Sequence, residues 1–429
     1  MPTQSKKQKT NISVPCAANI ADFRLKNGIR VLAYENFASP AVVVSGYFNA
    51  GARDETPDKA GLASFVADCL SRGTLNRSYE QIFEQTESIG ATTSISSAMH
   101  TSSIFAKSLA EDLPLMLDHL SDQLRNPIFP EDELEKERAE WLTGLEERNN
   151  NTRAMASMAF GKLCYPEGHP YHSPADGTLE TAKAIARDDV VNFHRRYYSP
   201  QDMVIVVVGA VKADEARRRV TESFGDWTAI RPARIDMPPA PKPSGIVREH
   251  IQMPGKSQSN IIWGYPSLPR SHPDWMACAL MNSILGQFGM YGRMGESVRK
   301  EEGLVYYIGS SFDGGPGPGS WNCYAGTHPN TVDRVLAISR AEVKHIQNHK
   351  VKPIELEDNK LYFTGSLPLG LETNEGMAGQ IISQVRYNLG LDYLLTYADK
   401  VNAITLADIQ RVAQTWLDAD NFVVVSAGA

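Results

Sequence analysis

The sequence predicts an α+β fold built from two homologous domains, each a mostly antiparallel sheet with helices packed on one face. Three observations carry this expectation. A helix–turn–strand block occurs twice at a fixed offset, a proline-rich stretch separates the copies, and strand-like and helix-like segments mix without strict βαβ alternation. The first block runs from Ile185 through Ser199-Pro200 into Met203–Gly209, and the second from Ile404 through Asp418-Ala419 into Phe422–Gly428. An offset of 219 pairs Ile185 with Ile404, Asp189 with Asp408, Tyr197 with Trp416 and Gly209 with Gly428 without a gap. Apolar residues at i, i+4 and i+8 predict a helix in each copy, and the β-branched runs predict buried strands. Between the copies, Ile230–Gly245 holds five prolines in sixteen residues, which neither continue a helix nor pair in a central strand. This sets a stiff linker at 229–246 and domains at 17–228 and 247–429, after a polar, loosely ordered leader over 1–16.

The remaining elements follow in chain order. Gly28–Tyr34 and Ala41–Asn49 read as strands, Asp58–Ser71 as a helix and Ser94–Ser108 as strand-like. Glu111–Leu124 and Pro130–Arg148 read as helices. The second half opens with strand Ser259–Trp263 and helix Asp274–Leu285. Gly314–Gly319 lies between two strand-like runs and lacks the Lys-Ser/Thr of a phosphate loop, so it reads as a hairpin connection.

Composition removes several functions. With 43 Lys+Arg against 50 Asp+Glu the net charge is -7, which argues against a nucleic-acid binder. The longest strongly apolar run, Met203–Val211, is strand-sized, so no membrane span is expected. The five cysteines are scattered with no C-x-x-C pair, which excludes a zinc ribbon or a dense disulfide framework. Lys6, Lys7 and Lys9 precede no apolar stretch, so no secretory signal is read in the chain as given, and the lack of Arg before Arg24 argues against a mitochondrial presequence.

Chemistry concentrates in two segments. In 57–74, Leu62, Phe65, Val66, Cys69 and Leu70 form a buried helical stripe, with Pro57 suited to the first helical position and Gly73 to the stop. In 285–309, a glycine-rich turn precedes a helix near Arg293–Glu302, a stop at Gly303 and a strand. Taken alone, Arg299 suits the C-terminal end of a helix dipole and Tyr306 is a β-prone aromatic. Alternation along the strand requires Tyr306 and Tyr307 to face opposite sides. His345 and His349 share a helix face at i, i+4 but lack a third ligand nearby, so a solvated face is expected. The carboxylates from Glu131 to Glu147 read as a charged outer face with pairs such as Asp132–Lys136.

Together, Gly61-Leu-Ala-Ser-Phe65 with Gly73-Thr74, Pro130–Arg138, Gly168-His-Pro-Tyr171 and Arg299-Lys-Glu-Glu-Gly-Leu-Val-Tyr306 resemble the pitrilysin/insulinase family. Its members are zinc metallopeptidases with an inverted H-x-x-E-H motif, built as a clam-like chamber. The resemblance implies that a half-length chain supplies two domains and pairs with a second chain. It also assigns no catalytic duty to the loop of His169 and His172. The five motif positions here are Ser64, Phe65, Val66, Ala67 and Asp68, and the third ligand would fall near Thr143 or Gly144. Both histidines, the glutamate base and the third ligand are therefore missing, and no metal is expected in this chain.

The family's Arg-x6-Tyr pair persists as Arg299 and Tyr306. The resemblance implies that these two reach the zinc site of a homologous H-x-x-E-H partner, in a heterodimer or heterotetramer, and stabilise the oxyanion of peptide hydrolysis. Gly286, Gly289 and Gly292 would let the chain pass close to an unfolded peptide substrate held as an added strand on the partner's sheet, and Ser94–Ser108 would be the vestigial equivalent strand here. Exported half-length pairs in the family point to the periplasm, with the cytoplasm as the alternative. The competing reading is a catalytically silent scaffold or a peptide-binding chamber of the same fold.

Overall fold

The computed structural model describes residues 14–429. Cys16 is fully buried and its N–H is held by Asn19 Oδ1 at 2.7 Å, so this end of the expected leader is packed rather than loose; positions 1–13 lie outside the described residues. Strands β1 (Ile20–Arg24), β2 (Arg30–Glu35), β3 (Ala41–Phe48), β4 (Thr92–Ser97), β5 (Ser102–Leu109) and β6 (Val204–Gly209) form one sheet, ordered β1-β2-β6-β3-β5-β4. Strands β7 (Ile246–Gln252), β8 (Ser259–Pro266), β9 (Val305–Phe312), β10 (Ser320–Thr327) and β11 (Phe422–Gly428) form the other, ordered β7-β11-β8-β10-β9. Leaving out β1, the two orders match strand for strand. Each sheet has one parallel pair, β2–β6 or β7–β11, in an otherwise antiparallel ladder.

Local chemistry explains the repeated block. The helices Arg187–Tyr197 and Leu406–Trp416 both begin with a carboxylate that turns back on the chain. Asp189 accepts from the Ala186 N–H at 2.8 Å and Asp408 from the Thr405 N–H at 2.9 Å, each satisfying a donor that the helix leaves orphaned. The strands that follow, β6 and β11, are buried along their whole length, as befits a strand covered on both faces.

Each half lays helices of its own on one face of its sheet, where Ile205 and Val207 of β6 pack with the Leu113–Arg125 helix. The opposite face is closed by the other half. The Thr152–Cys164 helix of the first half sets Ala156, Phe160 and Cys164 against Val423, Val425 and Ala427 of β11. Reciprocally, the Asn374–Arg386 helix of the second half sets Met377, Ala378 and Ile381 against Val204, Val206 and Val208 of β6. Each large apolar side chain buried this way contributes about 1.5–3 kcal/mol, so the exchange ties the halves together.

Several expected elements change under packing. The 94–108 run is not one strand but the β4–β5 hairpin, turned by the Ala98 N–H donating to the Thr101 carbonyl. The 58–71 helix is a 3-10 turn over Pro57–Lys59 and an α-helix only over Leu62–Cys69. Gly61 separates them with φ +93°, where a Cβ would lie 2.5 Å from the Trp141 ring and 2.9 Å from Gly177 Cα. The 274–285 helix is α-helical over Trp275–Asn282 and widens to a π-turn over Ser283–Gln287. The helix expected near 293–302 is also π-wound, over Gly295–Glu301.

Candidate functional site

The helix that would carry a zinc motif is held at its start by Glu55, whose carboxylate accepts the N–H groups of Gly61 and Ala63 at 2.9 and 2.8 Å. Ser64 spends its hydroxyl on the Ala175 carbonyl at 3.2 Å, and Ala67 is buried without a donor atom. Asp68 opens into a cavity of about 470 Å3 that it shares with Glu137. Burial raises its carboxyl to about 7, the charge of Glu137 adds to this, and Arg72 partly offsets it. Thr143 returns its hydroxyl to the Ala139 carbonyl at 2.9 Å, and Gly144 offers no side chain. One carboxylate beside a committed hydroxyl does not make a zinc site. Among the described residues no three His, Cys, Asp or Glu side chains converge on a point that would hold a metal, the His345–His349 pair included.

An arginine-centred cluster occupies this region. The Glu131–Asn149 helix, expected to show a charged outer face, turns Glu133 and Glu137 inward to Arg72, with Glu140 joining at 3.2 Å. Lys136 pairs with Glu133 rather than the expected Asp132; three- and four-residue spacings both share a helix face, so spacing alone does not choose between them. The second half repeats the arrangement at nearly the same offset, with Arg293 paired to Glu355 at 2.8 Å.

The Arg/Tyr pair sits on the second sheet. The π-wound Gly295–Glu301 segment ends where Gly303, at φ +63°, reverses the chain, and β9 begins at Val305. Along β9 and β10, Tyr307 faces Gly326 while Val305 faces Thr327, so Tyr306 is the extra residue of a β-bulge on an edge strand. A bulge re-aims its side chain, and Tyr306 is 77% exposed. The Arg299 guanidinium carbon lies 5.5 Å from the Tyr306 ring centre, and no carboxylate pairs with Arg299 among the described residues. Tyr307 turns to the other side and donates its hydroxyl to Asn260.

The three glycines divide. Gly286 is buried against β9, where a Cβ would fall 2.5 Å from Ser310 Oγ, and Gly292 is buried against Gly286. Both are required by internal packing; only Gly289, exposed at φ +60°, faces outward. Sequence reasoning missed a second constellation, Arg153 and Asp313, on opposite sides of the linker and joined in a cleft of about 760 Å3 between the halves. The only signal was the glycine-rich hairpin that carries Asp313.

Comparison with known proteins agrees with this architecture. Residues 30–166 match the family model described as insulinase (peptidase family M16), and residues 184–361 match that of the peptidase M16 inactive domain. An uncharacterized zinc protease of Streptomyces coelicolor is 26% identical over 398 residues, covering 91% of this chain and 85% of that protein. The beta subunit of the mitochondrial-processing peptidase of Dictyostelium discoideum is 25% identical over 410 residues, covering 92% and 85%. Among solved structures, a peptidase M16 inactive domain from Pseudomonas fluorescens superposes with a TM-score of 0.89 at 24% identity, covering 96% of this chain and 98% of that one. A chain of complex III2 from Candida albicans shares the fold with a TM-score of 0.78 at 15% identity, covering 96% of each chain. With two models of one family matching successive stretches of the chain and the folds coinciding over nearly the whole length, this chain belongs to the M16 peptidase family.

Proposed function

We propose that this chain is the zinc-free member of a pair of M16 chains, contributing Arg299 and Tyr306 to peptide hydrolysis at a homologous partner's H-x-x-E-H site. The observation that carries this reading is a contrast. Of the motif positions, Ser64 spends its hydroxyl on the fold, Ala67 has no donor atom and Asp68 offers a single carboxylate, whereas Arg299 and the exposed Tyr306 remain together and free of ion-pair partners among the described residues.

Attack of water on an amide carbonyl places negative charge on its oxygen. A phenol O–H donates to that oxygen, and a guanidinium nearby stabilises the charge and holds the substrate backbone. The bulge presents Tyr306 outward without spending its hydroxyl on the fold, so little reorganisation accompanies the reaction. Unfolded peptides are the substrates of this reading, and zinc and the general base belong to the partner.

The test is reconstitution. This chain, the H-x-x-E-H partner and their mixture are assayed on an unfolded peptide, with zinc content measured for each. Activity only in the mixture, and zinc only in the partner, supports the reading. A second reading, a scaffold without a catalytic share, draws on the fold shared with the chain of complex III2; undiminished activity of mixtures carrying Arg299→Ala or Tyr306→Phe would favour it.

A further inference from the structure

Among the described residues, the cleft between the halves holds a cation and an anion on one strand face, neither in an ion pair. Ser320, Asn322 and Tyr324 stand at i, i+2 and i+4 of β10, and such residues line the same face of a strand. At one end, Asp313 Oδ2 accepts from Ser320 Oγ and from Asn322 Nδ2 at 2.8 Å. Its Oδ1 has only a long contact of 3.4 Å from Ser311, which leaves that oxygen available as an acceptor. At the other end, the Arg153 guanidinium lies over the Tyr324 ring at 4.8 Å and the Tyr307 ring at 5.4 Å. Among the described residues neither Arg153 nor Asp313 has an ion-pair partner. Phe160 and Ile262 supply apolar wall between them.

We propose that this cleft binds a short peptide with both termini free, its ammonium on Asp313 and its carboxylate on Arg153. Length follows from geometry. Asp313 binds both Ser320 and Asn322 while Arg153 lies over Tyr324, so two to four residues of β10, roughly 7–13 Å at about 3.3 Å per residue, separate the two charges. An extended peptide advances about 3.3–3.6 Å per residue, so a peptide of about two to four residues spans this separation. A much longer chain cannot place both ends inside. The volume of about 760 Å3 lies within the range of small-ligand sites, and a boundary between domains is where such sites concentrate. Burial also raises the Asp313 carboxyl above its ordinary value, so an arriving cation relieves the cost of keeping it ionised. Because Arg153 belongs to the first half and Asp313 to the second, the ligand bridges them. The site does not depend on a partner chain or on Arg299 and Tyr306.

Calorimetric titration of the full chain with the tripeptide Ala-Phe-Ala tests this, beside its N-acetylated and C-amidated forms. Free tripeptide is expected to bind saturably, and each cap to weaken binding about ten- to a hundredfold through loss of a charge-assisted hydrogen bond. Asp313→Asn is expected to abolish the penalty for acetylation while keeping that for amidation, and Arg153→Gln the reverse. No saturable binding, or capped peptides binding as tightly as the free one to the wild-type chain, overturns the proposal. So does a pair of variants that lose both penalties alike.

Discussion

The Arg299 guanidinium lies over the ring of Tyr306, 5.5 Å from its centre, although six residues and a chain reversal at Gly303 separate them in sequence. A contact of this kind at an exposed site is worth about 0.5–1 kcal/mol, too little to explain the pair as a stability device. In the reconstituted pair, Tyr306→Phe and Arg299→Ala are each expected to lower kcat by about 10²–10³, the magnitude for loss of one oxyanion donor. Thermal unfolding of the Tyr306→Phe chain should be unchanged, because the Tyr306 side chain projects into solvent and phenylalanine keeps the ring. Stopped assays of the mixture and melting curves of the single chain check both halves of the expectation.

Arg72 neutralises Glu133 and Glu137, whose side chains are only 12% and 13% exposed. Arg72→Ala strands Glu137, leaves Glu133 with Lys136 alone and should cost about 3–5 kcal/mol, the penalty for breaking a buried pair by removing one partner. Glu140→Ala removes the solvent-facing member, 65% exposed, and should cost under about 1 kcal/mol. Urea unfolding of the two variants separates these outcomes.

The exchanged helices make each half incomplete. Ile381 is fully buried against β6, and Ile381→Ala should destabilise the chain by about 2–5 kcal/mol. A fragment ending at residue 228 lacks the Asn374–Arg386 helix and bares Leu32, Val43, Val204, Val206 and Val208. An apolar face of that kind drives self-association, which sedimentation of the fragment should reveal.

His194 sits among protein atoms with Nε2 on the Leu124 carbonyl at 2.9 Å. Burial lowers its pKa to about 4. The unfolded chain therefore binds a proton near pH 6.5 that the folded chain refuses, so stability is full above 6.5 and is lost as pH falls toward 4. Between pH 7 and pH 5 the loss from this residue is about 2 kcal/mol. His194→Gln, which retains a donor for the Leu124 carbonyl, should flatten the pH dependence in urea titrations by that amount.

The two-copy plan was legible because its signals are local. Asp189 and Asp408 close their own helix starts, and β6 and β11 announce burial through unbroken β-branched runs. That Ser64, Ala67 and Asp68 include no histidine or glutamate was equally legible, since side-chain identity needs no geometry. The inward turn of Glu133 and Glu137 was not, because helical spacing alone leaves open which charged stripe meets a partner from another element.

What the sequence by itself determined is the inventory: two α+β halves, a Ser64–Asp68 segment without histidine or glutamate, and an arginine and a tyrosine at a fixed spacing. The tertiary structure alone decided that each half closes the other's sheet with a borrowed helix, that a bulge turns Tyr306 outward, and that Arg153 and Asp313 share one cleft. Capping and side-chain periodicity are fixed by neighbours a few residues away. The faces that meet across the linker are chosen only when apolar surfaces from distant segments are buried against one another.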